Sequence, residues 1–348
     1  MTNQSTSHLF MIEPESFYSN EQTASSNHYQ VKEVDEVADK IAEQALKEFH
    51  QLKSSIEKRG IKVTSLKGSS ECPDHIFPNW FITFEDKTMQ IFSMMAPNRR
   101  LEKKPEMIEH LKKTYQLTTD MSHLENENIF LESTSSMVFD RVNKCVYAGI
   151  SPRTNKEQLQ LWCNKNNYEL VMFETTSHTG DAIYHTDVLM YVGTNLIAIC
   201  FDVINSEYVE LVKQKVHRHH DVLELTSDQI LSFCGNGIEA KNNENELFLI
   251  ISSTAYKALS QNQVDTLLKY YKEIIHSDIP TIEKYGGGSA RCMLTELFLI
   301  ISSTAYNALS QNQVDTLLKY YKEIIHSDIS TIEKYGGGSA RCMLTELF

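Results

Sequence analysis

Apolar positions fall into two periods along this chain, and together they predict short strands alternating with helices. Val34, Val37, Ile41, Ala45, Phe49, Leu52 and Ile56 recur at steps of three and four, which puts one stripe on a helix over about 31–59. Gly60 is placed to end it. Upstream, "SHLFMIEP" reads as a strand stopped by Pro14, followed by a polar stretch to about Gln30. "WFITFEDKTMQIFSMM" reads as a hairpin turning at Glu85 to Lys87, and "MIEHLKKTY" as a short helix. Further strands are expected at "NIFLES", "SMVFDR", "KCVYAGI", "YELVMFET", "DVLMYVG" and "LIAICFDVI", with helices at "KEQLQLWCNK" and "SEYVELVKQKVHR". No Pro/Gly/Ser linker interrupts the alternation, so a single α/β domain is expected.

The strongest organisational signal is a tandem repeat. Glu246 to Phe298 recurs as Glu296 to Phe348 with two differences, Lys257 against Asn307 and Pro280 against Ser330. Near-identity in two copies marks a duplication, whereas a solenoid shows diverged repeats all along the chain. Each copy spells a strand ("LFLIISST"), a helix with a capping box at Ser260 and Gln263, and an apolar helix face from Val264, Leu267, Leu268, Tyr271, Ile274 and Ile275. "TIEKYGGGSARCMLTELF" then reads as a strand, a glycine-rich turn and a last strand carrying Cys292, or Cys342 in the second copy. The expected division is a catalytic unit over 1–298 and a duplicate appendage over 299–348.

Composition narrows the partners. The 348 residues are 41% hydrophobic, enough for a sizeable core. A formal net charge of −13 repels nucleic acid and anionic lipid, so neither is expected as a partner. The absence of a secretory leader pattern and of a membrane-length apolar run makes a cytoplasmic protein the expectation. Seven cysteines, odd in number and without CxxC spacing, argue against a disulfide framework and a structural zinc site. His217, His219 and His220 in "VHRHHD" lack a partnered metal motif and read as a solvated helix end; no metal and no cofactor are expected.

What remains is cysteine chemistry. A thiolate nucleophile needs a nearby acid/base and a group that orients it. Cys292 or Cys342, His185 in "YHTDV" and Glu132 in "FLESTSS" are the candidates, although each alone is more often a packed cysteine, a core histidine or an acid at a strand end. Gly286, Gly287 and Gly288 allow close backbone approach just before Cys292 and are followed by no phosphate-loop lysine. Arg99, Arg100 and Arg153 are either solvent-facing charge or a bidentate clamp for a carboxylate.

Taken in order, "PDHIFPNW", "MMAPNRRLE", "FLESTSSMVFDRV", "SPRT", "YHTDVLM", "FCGNGIE" and "TIEKYGGGSARCM" resemble the arginine deiminase and amidinotransferase superfamily of guanidine-modifying enzymes, and within it the citrulline-utilisation hydrolase branch. The resemblance covers about Leu9 to Phe298. It implies a five-bladed α/β propeller, the pentein fold, built of ββαβ-type units. It implies Cys292 or its twin Cys342 as nucleophile, His185 as general acid/base and Glu132 as its carboxylate partner. Asn79 and Asp187 would contact the guanidino or ureido group, and Arg100 and Arg153 the substrate carboxylate. The implied reaction is hydrolysis of a C–N bond in a small amino-acid substrate, citrulline first and arginine close behind, with a homodimer as a candidate assembly. An amide at Asn79 suits a neutral urea oxygen, while Asp187 suits a cation. Amidinotransfer and a catalytically inactive binding module are the rival readings.

Overall fold

The computed structural model describes residues 3–31 and 37–298, together with the backbone of 301–302 and 326–327. The chain opens with β1 (His8–Glu13), which α1 (Ala38–Glu57) connects to the parallel strand β2 (Lys62–Lys67). Helix α1 starts later than its periodicity suggests: Val37 is extended and exposed, and 32–36 lie outside the described residues. Its stripe of Ile41, Ala45, Phe49, Leu52 and Ile56 is wholly buried, worth about 1.5–3 kcal/mol for each large side chain. Gly60 follows the helix at φ 82°.

The next three sheets repeat one plan. A lead strand pairs antiparallel with a middle strand, and the middle strand pairs parallel with an outer strand. These are β3 (Phe81–Thr83), β4 (Thr88–Ile91) and β5 (Gln116–Asp120); β6 (Val138–Asp140), β7 (Cys145–Gly149) and β8 (Glu169–Phe173); β9 (Met190–Val192), β10 (Leu196–Ile199) and β11 (Asp221–Glu224). A fourth sheet of the same plan follows, with β12 (Ile238–Lys241), β13 (Leu247–Ser252) and β14 (Glu273–Ser277). The last strand of that unit, β15 (Thr295–Leu297), returns to pair antiparallel with β1, which makes it the lead strand of the first sheet. Five small three-stranded sheets of one topology, flanked by helices, thus form a mixed α/β fold. Their lead strands pack on one another, β15 on β3, β6 on β9 and β9 on β12.

Several expectations are corrected. "NIFLES" is not a strand. Asn128 and Ser133 take positive φ, and the Glu132 N–H bonds the Ser136 hydroxyl, so local side-chain bonds replace a ladder and a one-turn helix forms at Ser133–Ser136. "TIEKYG" is the helix Pro280–Gly286, whose first N–H groups, at Thr281 and Ile282, are capped by the Glu48 carboxylate of α1 at 3.1 Å. Cys292 lies on a single 3-10 turn, Arg291–Met293, ahead of β15. The capping box at Ser260 and Gln263 forms, but its helix ends at Leu267, leaving Leu268 exposed and Ile274 and Ile275 on β14. The outer strands β2, β5 and β11 escaped the pattern because they are half-exposed, and β12 because only four residues pair.

In the second copy, Ile301 pairs with His326 and Ser302 with Ser327 in parallel, the register that Ile251 and Ser252 make with His276 and Ser277 in the first. Cys342 lies outside the described residues. Among the described residues no helix is long and apolar enough to cross a membrane, and the six cysteines are free and buried.

Candidate active site

All five lead strands are approached through the same kind of loop. Asn79 comes just before β3, Glu132 and Ser135 before β6, His185 and Asp187 before β9, Asn236 before β12, and Cys292 before β15. The topology therefore places these residues at one end of the packed strands, although they are scattered over 214 positions from Asn79 to Cys292 counted inclusively. Asn79, Glu132, Ser135, His185, Asp187, Asn236 and Cys292 are all buried.

Two direct clusters result. In the first, Asn236 Nδ2 donates to Cys292 Sγ at 3.1 Å and to the Asp187 carbonyl at 2.9 Å, while its Oδ1 accepts from the Cys292 N–H at 3.3 Å. Cys292 Sγ stands 3.7 Å from Asp187 Oδ2. Gly235 lets this loop close on the 186–189 turn, since an added Cβ would fall 2.4 Å from the Val188 carbonyl. In the second cluster, His185 Nε2 meets Glu132 Oε2 at 2.7 Å, and Glu132 Oε1 accepts from the Met95 N–H at 2.9 Å. The Tyr184 ring packs beside His185, and its hydroxyl donates to the Gly287 carbonyl at 2.6 Å, tying the histidine to the glycine-rich turn.

The electrostatics follow from burial. Burial drives the Cys292 thiol up to about 12, with the neighbouring Asp187 adding to the shift against Asn236 and Arg291. His185 is lowered, because burial outweighs the pull of Glu132. Burial also pushes on Glu132, in the opposite direction, but Arg153, the His185 hydrogen bond and Arg99 hold it well below the usual carboxylate range. Asp187 is raised by burial against His185 and Arg291. At neutral pH the site thus holds a thiol, a neutral imidazole and an ionised Glu132. Asp187 Oδ1 and the Ser135 hydroxyl are buried without a well-formed hydrogen bond, although the two are near enough for Ser135 to ease the ionisation of Asp187.

The two arginines expected to hold a carboxylate both bond groups of the protein itself. Arg153 donates to Ser26 Oγ at 2.8 and 3.1 Å, lies 3.6 Å from Glu132 and stacks on Tyr184. Arg100 donates to the carbonyls of Met94 and Met95. Its neighbour Arg99 is the buried one, paired with Glu102 and 3.9 Å from Glu132. Asn79 lies on the loop of Phe77, whose ring packs against Gly286 and Gly288 beside Cys292.

Sequence reasoning assigned no role to Asn236, Tyr184, Ser135 or Asp74. Asn236 stood inside a quoted motif, but nothing in its spacing pointed to the thiol. Asp74 is buried, with Oδ2 held by Asn20 and Thr23 and Oδ1 unpartnered. The stretch before Gln30, read as merely polar, covers this region: Asn27 donates to the Gly286 carbonyl, and Tyr29 packs on Tyr184 and Phe233. The histidine run forms no metal cluster among the described residues; His220 is buried 3.7 Å from Asp140.

The family model described as N,N dimethylarginine dimethylhydrolase, eukaryotic, matches residues 13–299, and matches again over 296–348. The chain belongs to this family. It is thereby a member of the guanidino-modifying pentein superfamily. No curated protein matches it by sequence. Among solved structures it is similar to the substrate-bound N-terminal domain of ArgZ, an arginine dihydrolase from the ornithine-ammonia cycle in cyanobacteria. The TM-score is 0.67 at 13% identity, over 84% of this chain and 98% of that one. Unliganded AgrE gives 0.67 at 13% identity over 85% of this chain and 40% of its own. A dimethylarginine dimethylaminohydrolase adduct with S-methyl-L-thiocitrulline gives 0.55 at 14% identity over 85% and 100%. At such identities these likenesses bear on the fold.

Proposed function

We propose that the protein hydrolyses the terminal C–N bond of an arginine-type guanidine, with Cys292 as nucleophile, His185 as acid/base and Glu132 as the group that orients it. The observation that carries the reading is the buried Asp187 carboxylate, with one oxygen 3.7 Å from Cys292 Sγ and the other, near the Ser135 hydroxyl, without a well-formed hydrogen bond. An unpaired buried carboxylate oxygen is costly unless a donor fills the gap, and a guanidinium supplies donors and charge together. Family membership and the likeness to ArgZ, whose described activity is arginine dihydrolysis, support the same substrate class. The five sheets would form a five-bladed ring joined through the pairing of β1 with β15, with the site at one mouth.

The chemistry uses the residues as found. A docked guanidinium offsets the loss of solvation that keeps the thiol protonated, so Sγ passes its proton to neutral His185 and attacks the guanidino carbon. Collapse of the tetrahedral adduct breaks the C–N bond, and His185 returns the proton to the departing amine, leaving a thiouronium on Cys292. His185 then takes a proton from water as the hydroxide adds. Breaking the C–S bond regenerates the thiol and releases a ureide.

Citrulline is the second reading, favoured by Asn79, whose buried amide has no partner requirement that a urea oxygen could not meet. The test is an end-point assay of purified protein with arginine and citrulline in parallel, scoring ammonia and amino-acid products by mass spectrometry. Citrulline plus ammonia from arginine supports the main reading; ornithine from citrulline alone replaces it with the second. Product formed only with an added acceptor amine would make the protein an amidinotransferase.

A further inference from the structure

We infer that Gln4 is a positioning residue for the His185–Glu132 pair, acting from the opposite end of the strands that carry them as part of an N-terminal clasp over residues 3–6. Gln4, Ser5 and Thr6 are buried. Their side chains reach the ends of the lead strands remote from Cys292. Asn3 bonds Glu85, just past β3, through both its N–H and its amide at 2.9 and 2.8 Å. Gln4 Nε2 donates to the Phe139 carbonyl of β6 at 2.8 Å and to the Val192 carbonyl of β9 at 3.1 Å. Ser5 donates to Glu239 of β12, and Thr6 to the Leu297 carbonyl of β15. Four consecutive residues thus touch strands of four sheets and the β3–β4 turn of the fifth.

Gln4 is the member with a consequence for chemistry. β6 and β9 belong to different sheets and share no ladder, so side chains must hold them together. At the site end this is done by the 2.7 Å bond from His185 to Glu132 and by the Thr186 hydroxyl, which donates to the Ser136 carbonyl at 2.6 Å. At the far end it is done by Gln4, whose Oε1 also accepts from the Arg141 N–H at 2.8 Å, so that the amide uses both faces. Releasing one end lets β6 and β9 splay, and misplacement of an acid/base by about 1 Å costs on the order of a hundredfold in rate.

The kinetic arm rests on the proposed guanidine hydrolysis; the spectroscopic arm does not. Gln4→Met keeps the length and removes the hydrogen bonds, and Gln4→Glu keeps the acceptor but sets a charge against two carbonyls. In folded Gln4→Met protein, kcat is expected to fall at least about tenfold with KM within about twofold. The His185 ring 15N resonances should move toward those of a histidine without a carboxylate partner. Unchanged kcat and unchanged His185 resonances in folded Gln4→Met protein would overturn the inference. So would a rate loss fully explained by a larger unfolded fraction. If the wild-type protein turns over no guanidine, the functional reading fails while the His185 resonances still decide the clasp.

Discussion

In the proposed function, Asp187 is the residue on which the choice of substrate rests. Its carboxylate suits a cation, whereas an amide in the same place can donate to a neutral urea oxygen. Asp187→Asn is therefore expected to lower kcat/KM for arginine relative to citrulline by about 10- to 100-fold, read from parallel steady-state assays. An unchanged ratio would remove Asp187 from substrate recognition. Cys292 gives a second prediction at this scale. Because burial lifts its thiol to about 12, the thiolate fraction grows about tenfold per pH unit across pH 7 to 9. The rate of iodoacetamide modification, followed on the Cys292 peptide by mass spectrometry, should rise at that slope without a plateau. A plateau near neutral pH would show a pre-ionised nucleophile. Cys292→Ala should cost on the order of 10⁴-fold in rate, with the melting temperature little changed.

Short elements here are held by distant partners. The helix at Pro280–Gly286 would be a poor helix by itself: it has seven residues, and three glycines begin at its end. It forms because Glu48, 233 positions from Thr281, caps its free N–H groups, and because Gly287 ends it at φ 61°. Glu48→Ala should therefore destabilise the protein by about 1 kcal/mol, measured by denaturant unfolding, and loosen the turn that presents Cys292. Gly287 is constrained further, since an added Cβ would stand 2.6 Å from Asn27 and from the Gln30 N–H. These two contacts explain why a β-like sequence reading of "TIEKYGGG" fails: the cap that decides between helix and strand is supplied from elsewhere in the chain.

For the molecule as a whole, the first copy of the repeat is sufficient to complete the described unit. β12 to β15 supply the fourth sheet, the lead strand of the first and Cys292, and residues before 299 make every contact described at the site. A chain ending at Phe298 should keep its fold and its rate within about twofold, read by circular dichroism and turnover; loss of either would assign the second copy a necessary role. The two substitutions that separate the copies, Lys257 to Asn307 and Pro280 to Ser330, fall where the first copy is exposed. The repeated pairing register at 301–302 and 326–327 agrees with a second copy that preserves the strand signals of the first.

The sequence by itself determined the middle strands, the long helix and the chemical inventory, because continuous apolar runs, a 3.6-residue stripe and the order of motifs are local properties. It carried His185, Glu132 and Cys292 as candidates through their motifs, and the structure brings the first two into contact while setting the third against Asp187. Tertiary structure alone decided that Asn236 holds the thiol and that Arg100 and Arg153 donate to Met94, Met95 and Ser26 of the protein itself. It also turned a polar stretch into a cover and made the first four described residues a clasp. Such facts escape a linear reading for one physical reason. A hydrogen bond between residues separated by tens or hundreds of positions leaves no periodicity behind, and only closing the chain on itself reveals which buried polar groups have found partners and which still await a ligand.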